Sequence, residues 1–166
     1  VVLEQPIAYG EPIDSASSGL RFEGNGVRLV GFEMRKGSGT VTGAAFIGWD
    51  ASYVFNWDVR DLEINTVTSM PAPPEPLSGV VNFNIAGVGA FDDPRYEISG
   101  TVVDLFVGDE EIGQVTTRLS VRDDLLTVNL EGASSTLAVS AAGQVEMTDM
   151  LTDLRVRVTN ASLAPY

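Results

Sequence analysis

The chain contains no cysteine and no histidine. Without cysteine it has no disulfide and no thiol nucleophile. Without histidine the Ser–His–Asp and Cys–His catalytic systems are excluded, and the commonest protein ligand for transition metals is missing. Carboxylate pairs and oxygen sites for hard cations are the catalytic and metal chemistry that this composition leaves open.

Basic residues and long apolar runs are also scarce. Ten Lys and Arg against 23 Asp and Glu give a net charge of -13, which repels phosphate backbones and argues against nucleic acid as a partner. No apolar run reaches the roughly 18 residues of a membrane-spanning helix. The chain opens on VVLEQP without an initiator Met, so we expect a piece cut from a longer protein.

What the chain does contain is an alternation of apolar and polar residues with period two, the pattern of half-buried β-strands. It is clear in QVTTRLSVRDD, DLLTVNLEG, VVNFNIAG, YVFNWDV and DLRVRV. Asp123-Asp124 joins the first two runs as a tight hairpin. Near Val30-Gly31 the alternation changes phase, which indicates a bulge. About ten such runs, with no competing helical stripe, predict an all-β fold made of a curved, mostly antiparallel sheet.

The main interruption is SMPAPPEPLSG, residues 69–79, with four prolines in eleven positions. Proline cannot donate a ladder hydrogen bond, so this stretch is predicted to be an extended connector. Because the strand pattern is the same on both sides, we interpret residues 1–166 as a single β segment with 69–79 as an internal connector.

Two acidic clusters are the candidate sites for chemistry. Asp92-Asp93 precedes Pro94 between two strand patterns, and aspartate followed by proline favours a turn. Asp109-Glu110-Glu111 lies where a hairpin end is expected, and charge there keeps a sheet edge from pairing with other chains. A calcium site needs six or more oxygens and a glycosidase needs two acids facing one cleft. Neither is visible, so we expect no enzyme activity, catalytic residue, metal site or cofactor.

The apolar face of the sheet has no amphipathic helix in the sequence to cover it. The aromatic residues either belong to an ordinary core or line a ligand groove; the candidates are Trp49, Tyr53, Phe55, Trp57, Phe83 and Phe106. A second sheet closes over this face as a sandwich, or the face stays open as an apolar trough.

The run LSGVVNFNIAGVGAFDDPRYEISGTVVDL, followed by EEIGQVTTRLSVRDDLLTVNLEG, resembles the repeating unit of the TamB and AsmA-like bacterial envelope proteins. The shared pattern is a Pro-rich link, a Leu-Ser-Gly strand, a Gly-x-x-x-Asp-Asp-Pro turn, a Gly-containing strand and a tight hairpin. WDVRDLEI resembles the strand ending that precedes the link. The likeness extends from about Gly39 to Tyr166, and it departs at Asp123-Asp124, where Asp-Gly is usual.

This resemblance implies a U-shaped sheet, the β-taco, whose hydrophobic groove carries phospholipid acyl chains between the inner and outer membranes. It also implies a periplasmic location within an inner-membrane-anchored protein, a role in lipid transport or outer-membrane protein assembly, and pairing with a Bam-related outer-membrane barrel. Neighbouring segments of the same chain are expected to continue the groove. The residues expected to line it are Phe55, Trp57, Val59, Phe83, Ile85, Leu119, Val121, Val128, Leu130, Val139 and Val156.

The alternative is a closed β-sandwich that serves as an adhesion or carbohydrate-binding module of a surface protein. The alternation pattern fits both, because it predicts an apolar face without saying what lies on it. An open face lined by Phe55, Trp57, Leu119 and Leu130 favours the groove, and a filled core between two sheets favours the sandwich.

Overall fold

The computed structural model describes residues 1–8, 10–68, 75–134, 138–146 and 151–159. These residues form one open antiparallel sheet of eleven strands and a separate two-stranded hairpin. The all-β fold predicted from the alternation is confirmed. The strands are β1 (Val2–Glu4), β2 (Ile7–Ala8), β3 (Glu11–Pro12), β4 (Ser15–Glu23), β5 (Gly26–Lys36), β6 (Gly39–Gly48), β7 (Ser52–Glu63), β8 (Leu77–Ala90), β9 (Tyr96–Val107), β10 (Glu110–Arg122), β11 (Leu125–Ala133), β12 (Ala138–Glu146) and β13 (Leu151–Thr159).

The large sheet is a meander in which each strand from β4 onward pairs with the next one along the chain. β1 pairs with β4 at one edge, and β13 forms the other edge among the described residues. The short strands β1, β2 and β3 were not predicted, because two or three residues are too few to show an alternation.

The sheet continues across the proline-rich connector, since β7 pairs with β8 from Ser52 opposite Ala90 to Glu63 opposite Val80. A single 3-10 turn, Ile64–Thr66, follows β7. Residues 69–74 of the predicted connector lie outside the described residues. The last three residues of that stretch differ from the prediction, because β8 already begins at Leu77.

The hairpin at Asp123-Asp124 is confirmed. Arg122 lies opposite Leu125, so the loop has two residues, and both aspartates have positive φ, 51° and 59°. This is the type I′ turn, whose twist matches that of the two strands it joins. Aspartate tolerates the left-handed region better than most residues other than glycine.

Bulges bend several strands. The predicted phase change is confirmed at Gly31, where φ is 59° and the pairing of β5 with β6 shifts between Leu29 and Phe32. Two further irregularities contain aspartates with positive φ, Asp61 in β7 and Asp104 in β9. Because a bulge adds a residue to one strand only, it bends that strand and curves the sheet.

The β2–β3 hairpin lies at the end of the sheet where β5 and β7 terminate. The Glu11 carboxylate accepts a hydrogen bond of 2.8 Å from the Thr68 N–H and forms an ion pair of 2.5 Å with Lys36 Nζ. Lys36 also donates to the Pro12 carbonyl, and Ile13 is buried. These contacts fix the N-terminal hairpin to that end of the sheet.

Candidate functional site

The pairing register places all eleven predicted groove residues on the same face of the large sheet. Residues directly opposite each other on paired strands, and alternate residues along a regular strand, point to the same side. One row across the strands runs through Val41, Val59, Phe83, Gly100, Thr117, Leu130, Ala141 and Val156. The next runs through Gly43, Trp57, Ile85, Ile98, Leu119, Val128, Gly143 and Leu154.

The remaining three residues belong to the flanking rows. Phe55 and Val121 lie in a row with Tyr96, which is opposite Val121. Val139 lies opposite Val158 in the row on the other side. The predicted residues therefore form one continuous apolar face rather than several separate patches.

Part of this face is aromatic. Six rings from β5, β7, the β8–β9 turn and β9 form a chain of contacts, with the closest centroids, those of Phe55 and Trp57, 4.5 Å apart. These six rings line a hollow of about 420 Å³ together with Leu29, Ala45 and Ile47. The six rings are those of Phe32, Trp57, Phe55, Tyr53, Tyr96 and Phe91.

Glycines lie beneath the large rings. A Cβ atom on Gly43 would be 2.6 Å from Trp57 Cδ1, and one on Gly100 would be 2.5 Å from Phe83 Cδ1. A Cβ on Gly87 would collide with the Phe55 ring. At Gly43 and Gly100 the same Cβ atom would also collide with a backbone oxygen of the neighbouring strand, that of Asn56 or Asn82. Each of these two glycines therefore permits the close approach of that strand together with its aromatic ring.

Exposure rises along the face from its middle to its C-terminal edge. Val59 is 6% exposed, whereas Val156 in the same row is 66% exposed. Phe55, Trp57, Phe83, Ile85, Leu119, Val121, Val128, Leu130 and Val139 are intermediate. Half-buried apolar side chains of this kind are what a curved sheet with nothing packed on its concave side presents to solvent.

No second layer covers the face in the part of the chain that the structure describes. Apart from the 3-10 turn against β8, extensive contacts join only strands that are neighbours in a sheet. The closed sandwich considered from the sequence is therefore wrong as a description of the fold. Two polar atoms on the apolar face, Trp57 Nε1 and Thr117 Oγ1, are buried without a hydrogen-bond partner.

The opposite face is mostly polar, although Val54 and Val88 are exposed on it. Asn84 Nδ2 donates a hydrogen bond of 2.7 Å to Asn56 Oδ1, joining β8 to β7. Arg122 forms an ion pair of 2.6 Å with Glu97, and both side chains are about two-thirds exposed. The sheet is thus amphipathic across its thickness, with one face apolar and the other hydrated.

The acidic clusters lie at turns. Phe91 and Asp92 form the turn after β8, the Asp93 N–H donates to the Ala90 carbonyl, and the Asp93 carboxylate pairs with Arg95 at 2.8 Å. The predicted turn is confirmed. Asp109 belongs to a two-residue hairpin loop, and Glu110 and Glu111 begin β10. Within the described residues, no group of three or more acidic side chains is arranged to hold a metal ion.

Sequence reasoning missed some of the aromatic lining and misplaced other residues. Tyr96 and Phe32 lie on the apolar face, and alternation alone identifies Tyr96 because it precedes Ile98 by two residues. Trp49, also a candidate lining residue, lies in the β6–β7 turn and is 62% exposed. Phe106, another candidate, follows the Asp104 bulge, where the alternation changes phase.

No family model, curated protein or solved structure matches the chain. Among the described residues, no helix is long and apolar enough to span a bilayer. The functional interpretation therefore depends on the geometry of the apolar face and on the resemblance noted in the sequence.

Proposed function

We propose that the apolar face is a track for lipid acyl chains, and that the chain is a segment of a periplasmic protein carrying phospholipid between the inner and outer membranes. The observation that carries this proposal is an apolar face that continues across the sheet and has no second layer upon it among the described residues. A monomeric protein rarely leaves so large an apolar surface without a ligand or partner.

The dimensions suit a hydrocarbon chain. The two central apolar rows cross eight strands, β6 to β13, and a strand spacing of about 4.8 Å makes the track about 34 Å long. One leaflet of a bilayer is about 15 Å of hydrocarbon, so the track is about two acyl-chain lengths long. Each methylene that leaves water for an apolar surface is stabilised by about 0.8 kcal/mol, which is the driving force for a tail to remain on the track.

The chemistry of the face also favours a lipid tail over a polar ligand. The only two orphan polar side-chain atoms found among the described residues, on Trp57 and Thr117, lie beneath the apolar surface and are themselves buried. A tail needs apolar contacts of no particular register, so a face of mixed aromatic and aliphatic side chains suits it. Pairing with an outer-membrane barrel, which the resemblance implies, stays a prediction.

Photocrosslinking tests the proposal. A photoreactive amino acid at Val128, half-buried on the apolar face of β11, is expected to capture phospholipid that co-purifies with the chain. The same amino acid at Asn129, the next residue on the opposite face, is the matched control and should capture none. Mass spectrometry of the adducts identifies the lipid. Equal capture at both positions, or none at either, contradicts the proposal.

A second test of the proposal introduces a charge on the apolar face. Val128→Asp should leave the protein folded, because the carboxylate of a half-buried residue on an uncovered face reaches water, but should strongly reduce co-purifying lipid. Asn129→Asp is the control and should retain the lipid. Unfolding of Val128→Asp, seen as loss of the β-sheet circular dichroism spectrum, would mean that the face is covered in solution and would count against the track.

A further inference from the structure

Two exposed aromatic residues lie in adjoining loops at one end of the strands. Trp49 belongs to the β6–β7 loop and Phe91 to the β8–β9 loop, and the two residues are 62% and 63% exposed. The Phe91 N–H donates a hydrogen bond of 3.1 Å to the Ala51 carbonyl, which joins the two loops. Exposed aromatic side chains in adjoining loops are typical of a binding surface, because aromatic residues supply much of the binding energy of protein interfaces.

Hydrogen bonds hold the β6–β7 loop in place. The Trp49 N–H donates to the Asn25 carbonyl at 3.0 Å. Asp50 Oδ1 accepts one bond of 2.6 Å from the Ser52 hydroxyl and another of 3.1 Å from the Ser52 N–H. These two bonds, the hydroxyl first, lower the pKa of the Asp50 carboxyl, so the group is charged at neutral pH. A partner therefore meets a preformed surface, which limits the ordering cost of binding.

Each of the two rings is followed in the sequence by an aspartate. Asp50 and Asp92 are exposed, and neither forms an ion pair within the described residues. The β10–β11 turn at the same end adds the exposed Asp123 and Asp124. Three arginines of this end are already paired with acids, as Arg28–Glu23, Arg95–Asp93 and Arg122–Glu97. The charge that these turns leave without a counter-charge is therefore negative.

A hollow of about 520 Å³ lies below the two loops on the mostly polar face of the sheet. Its floor is apolar, because Val54 and Val88 lie opposite each other there and are 47% and 62% exposed. Arg95 and Arg122 are among the residues on its other side. Such a floor accepts an apolar side chain or the methylene stem of a basic one.

The carboxylates decide which kind of partner the two loops fit. A bilayer would take Asp50 and Asp92 out of water together with the rings, and burying a charge without a partner is costly. A second copy of this chain would bring acidic turns together in a protein with a net charge of -13, and like charges oppose association. A cation, in contrast, is attracted both by carboxylates and by the faces of aromatic rings.

We propose that the β6–β7 and β8–β9 loops bind a segment of another polypeptide in which basic and apolar residues alternate. A basic side chain of the segment lies against the ring of Trp49 or Phe91 and pairs with Asp50 or Asp92. An apolar side chain next to it enters the hollow over Val54. This site is separate from the apolar face, so it does not depend on the acyl-chain track.

The probe is a fluorescently labelled, acetylated peptide, SRLRLRS, and the comparison peptide, SELELES, replaces the arginines with glutamates. Fluorescence anisotropy with the full chain at about 0.1 M salt, where the Debye length is about 10 Å, should show at least about tenfold tighter binding of the arginine peptide. In heteronuclear magnetic resonance spectra, the arginine peptide should shift the indole N–H signal of Trp49. The indole signal of Trp57, on the apolar face, should stay in place.

Two double variants with the same net charge separate the site from the charge of the whole chain. Asp50→Asn/Asp92→Asn removes two carboxylates at the loops, and Asp109→Asn/Glu110→Gln removes two exposed ones at the opposite end of the strands. The first should weaken the arginine peptide about five- to tenfold, since an exposed ion pair contributes a factor of a few, and the second at most about twofold. Trp49→Leu stays apolar but loses the aromatic face, and should weaken the peptide about threefold. All of these side chains are exposed, so the folded state should survive, as circular dichroism will verify.

Several results would overturn the proposal. The first is no measurable binding of the arginine peptide, or equal affinity of the two peptides for the unmodified chain. Equal losses in the two double variants would reduce the effect to net charge, and full affinity in Trp49→Leu would remove the ring from the site. Neutral phosphatidylcholine vesicles that compete with the peptide would make a membrane the occupant of the loops. A dimer in analytical ultracentrifugation that the peptide dissociates would make a second copy the occupant.

Discussion

Val59 and Val156 are the same residue type in the same cross-strand row, yet the first is 6% exposed and the second 66%. Val59 lies between Val41 and Phe83, whereas Val156 has Ala141 on one side and no described strand on the other. No second layer from the described part of the chain covers either residue. In this sheet, burial therefore comes from neighbours along the row and from curvature, and the packed centre, β6 to β10, takes the place of a core.

The largest expected effect is the difference in stability between variants with aspartate at Val59 and at Val156. Val59→Asp puts a carboxylate among Val41 and Phe83 with no partner, and should lower the free energy of unfolding by about 3–5 kcal/mol. Val156→Asp leaves its carboxylate in water and should change stability by less than about 0.5 kcal/mol. Thermal unfolding followed by circular dichroism measures both. Similar losses for the two variants would show that the edge is as well packed as the centre.

Most of the face was predictable from the sequence because alternation is a local signal. Phe83, Leu119 and Val128 need only their own strands to reveal which side they point to. The place of a strand in the sheet depends on contacts that are distant in the sequence. Because β13 has the same alternation as an inner strand, its exposed position at the edge was not predictable. The bulges at Asp61 and Asp104 were also missed, since aspartate at positive φ gives no signal comparable to the glycine at Gly31.

The contacts between residues of neighbouring strands could not be predicted from the sequence either. Gly43 and Gly100 look like weak points in strand patterns, because glycine adds no side chain to the face. In the structure they lie directly against Trp57 and Phe83, where a larger residue would not fit. Only the register between strands brings each glycine under its ring, and register depends on every turn and bulge in the meander.

The second prediction tests whether the absence of a side chain at Gly100 stabilises the packed centre. In Gly100→Ala the new methyl group would collide with the Asn82 carbonyl oxygen and lie 2.5 Å from Phe83 Cδ1, so the neighbouring strand as well as the ring must move. The expected loss is about 1–3 kcal/mol, typical of overpacking. Gly24→Ala is the matched control, because no heavy atom lies within 4 Å of its Cβ position. Chemical denaturation compares the two, and an unchanged midpoint for Gly100→Ala would show that the ring has room.

The smallest expected effect concerns the Asp123-Asp124 turn, at the boundary between the packed centre and the C-terminal margin, β11 to β13. Both residues have positive φ, which asparagine and glycine adopt at lower cost. Relief of the left-handed strain exceeds the entropy that glycine adds to the unfolded chain, so Asp123→Asn combined with Asp124→Gly should raise stability by about 0.5–1 kcal/mol. If the margin opens independently of the centre, hydrogen exchange should slow mainly in β11 to β13 and hardly in β7 and β8. Uniform slowing would instead mean that centre and margin unfold as one unit, and the contrast between Val59 and Val156 would then be one of exposure without a matching difference in local stability.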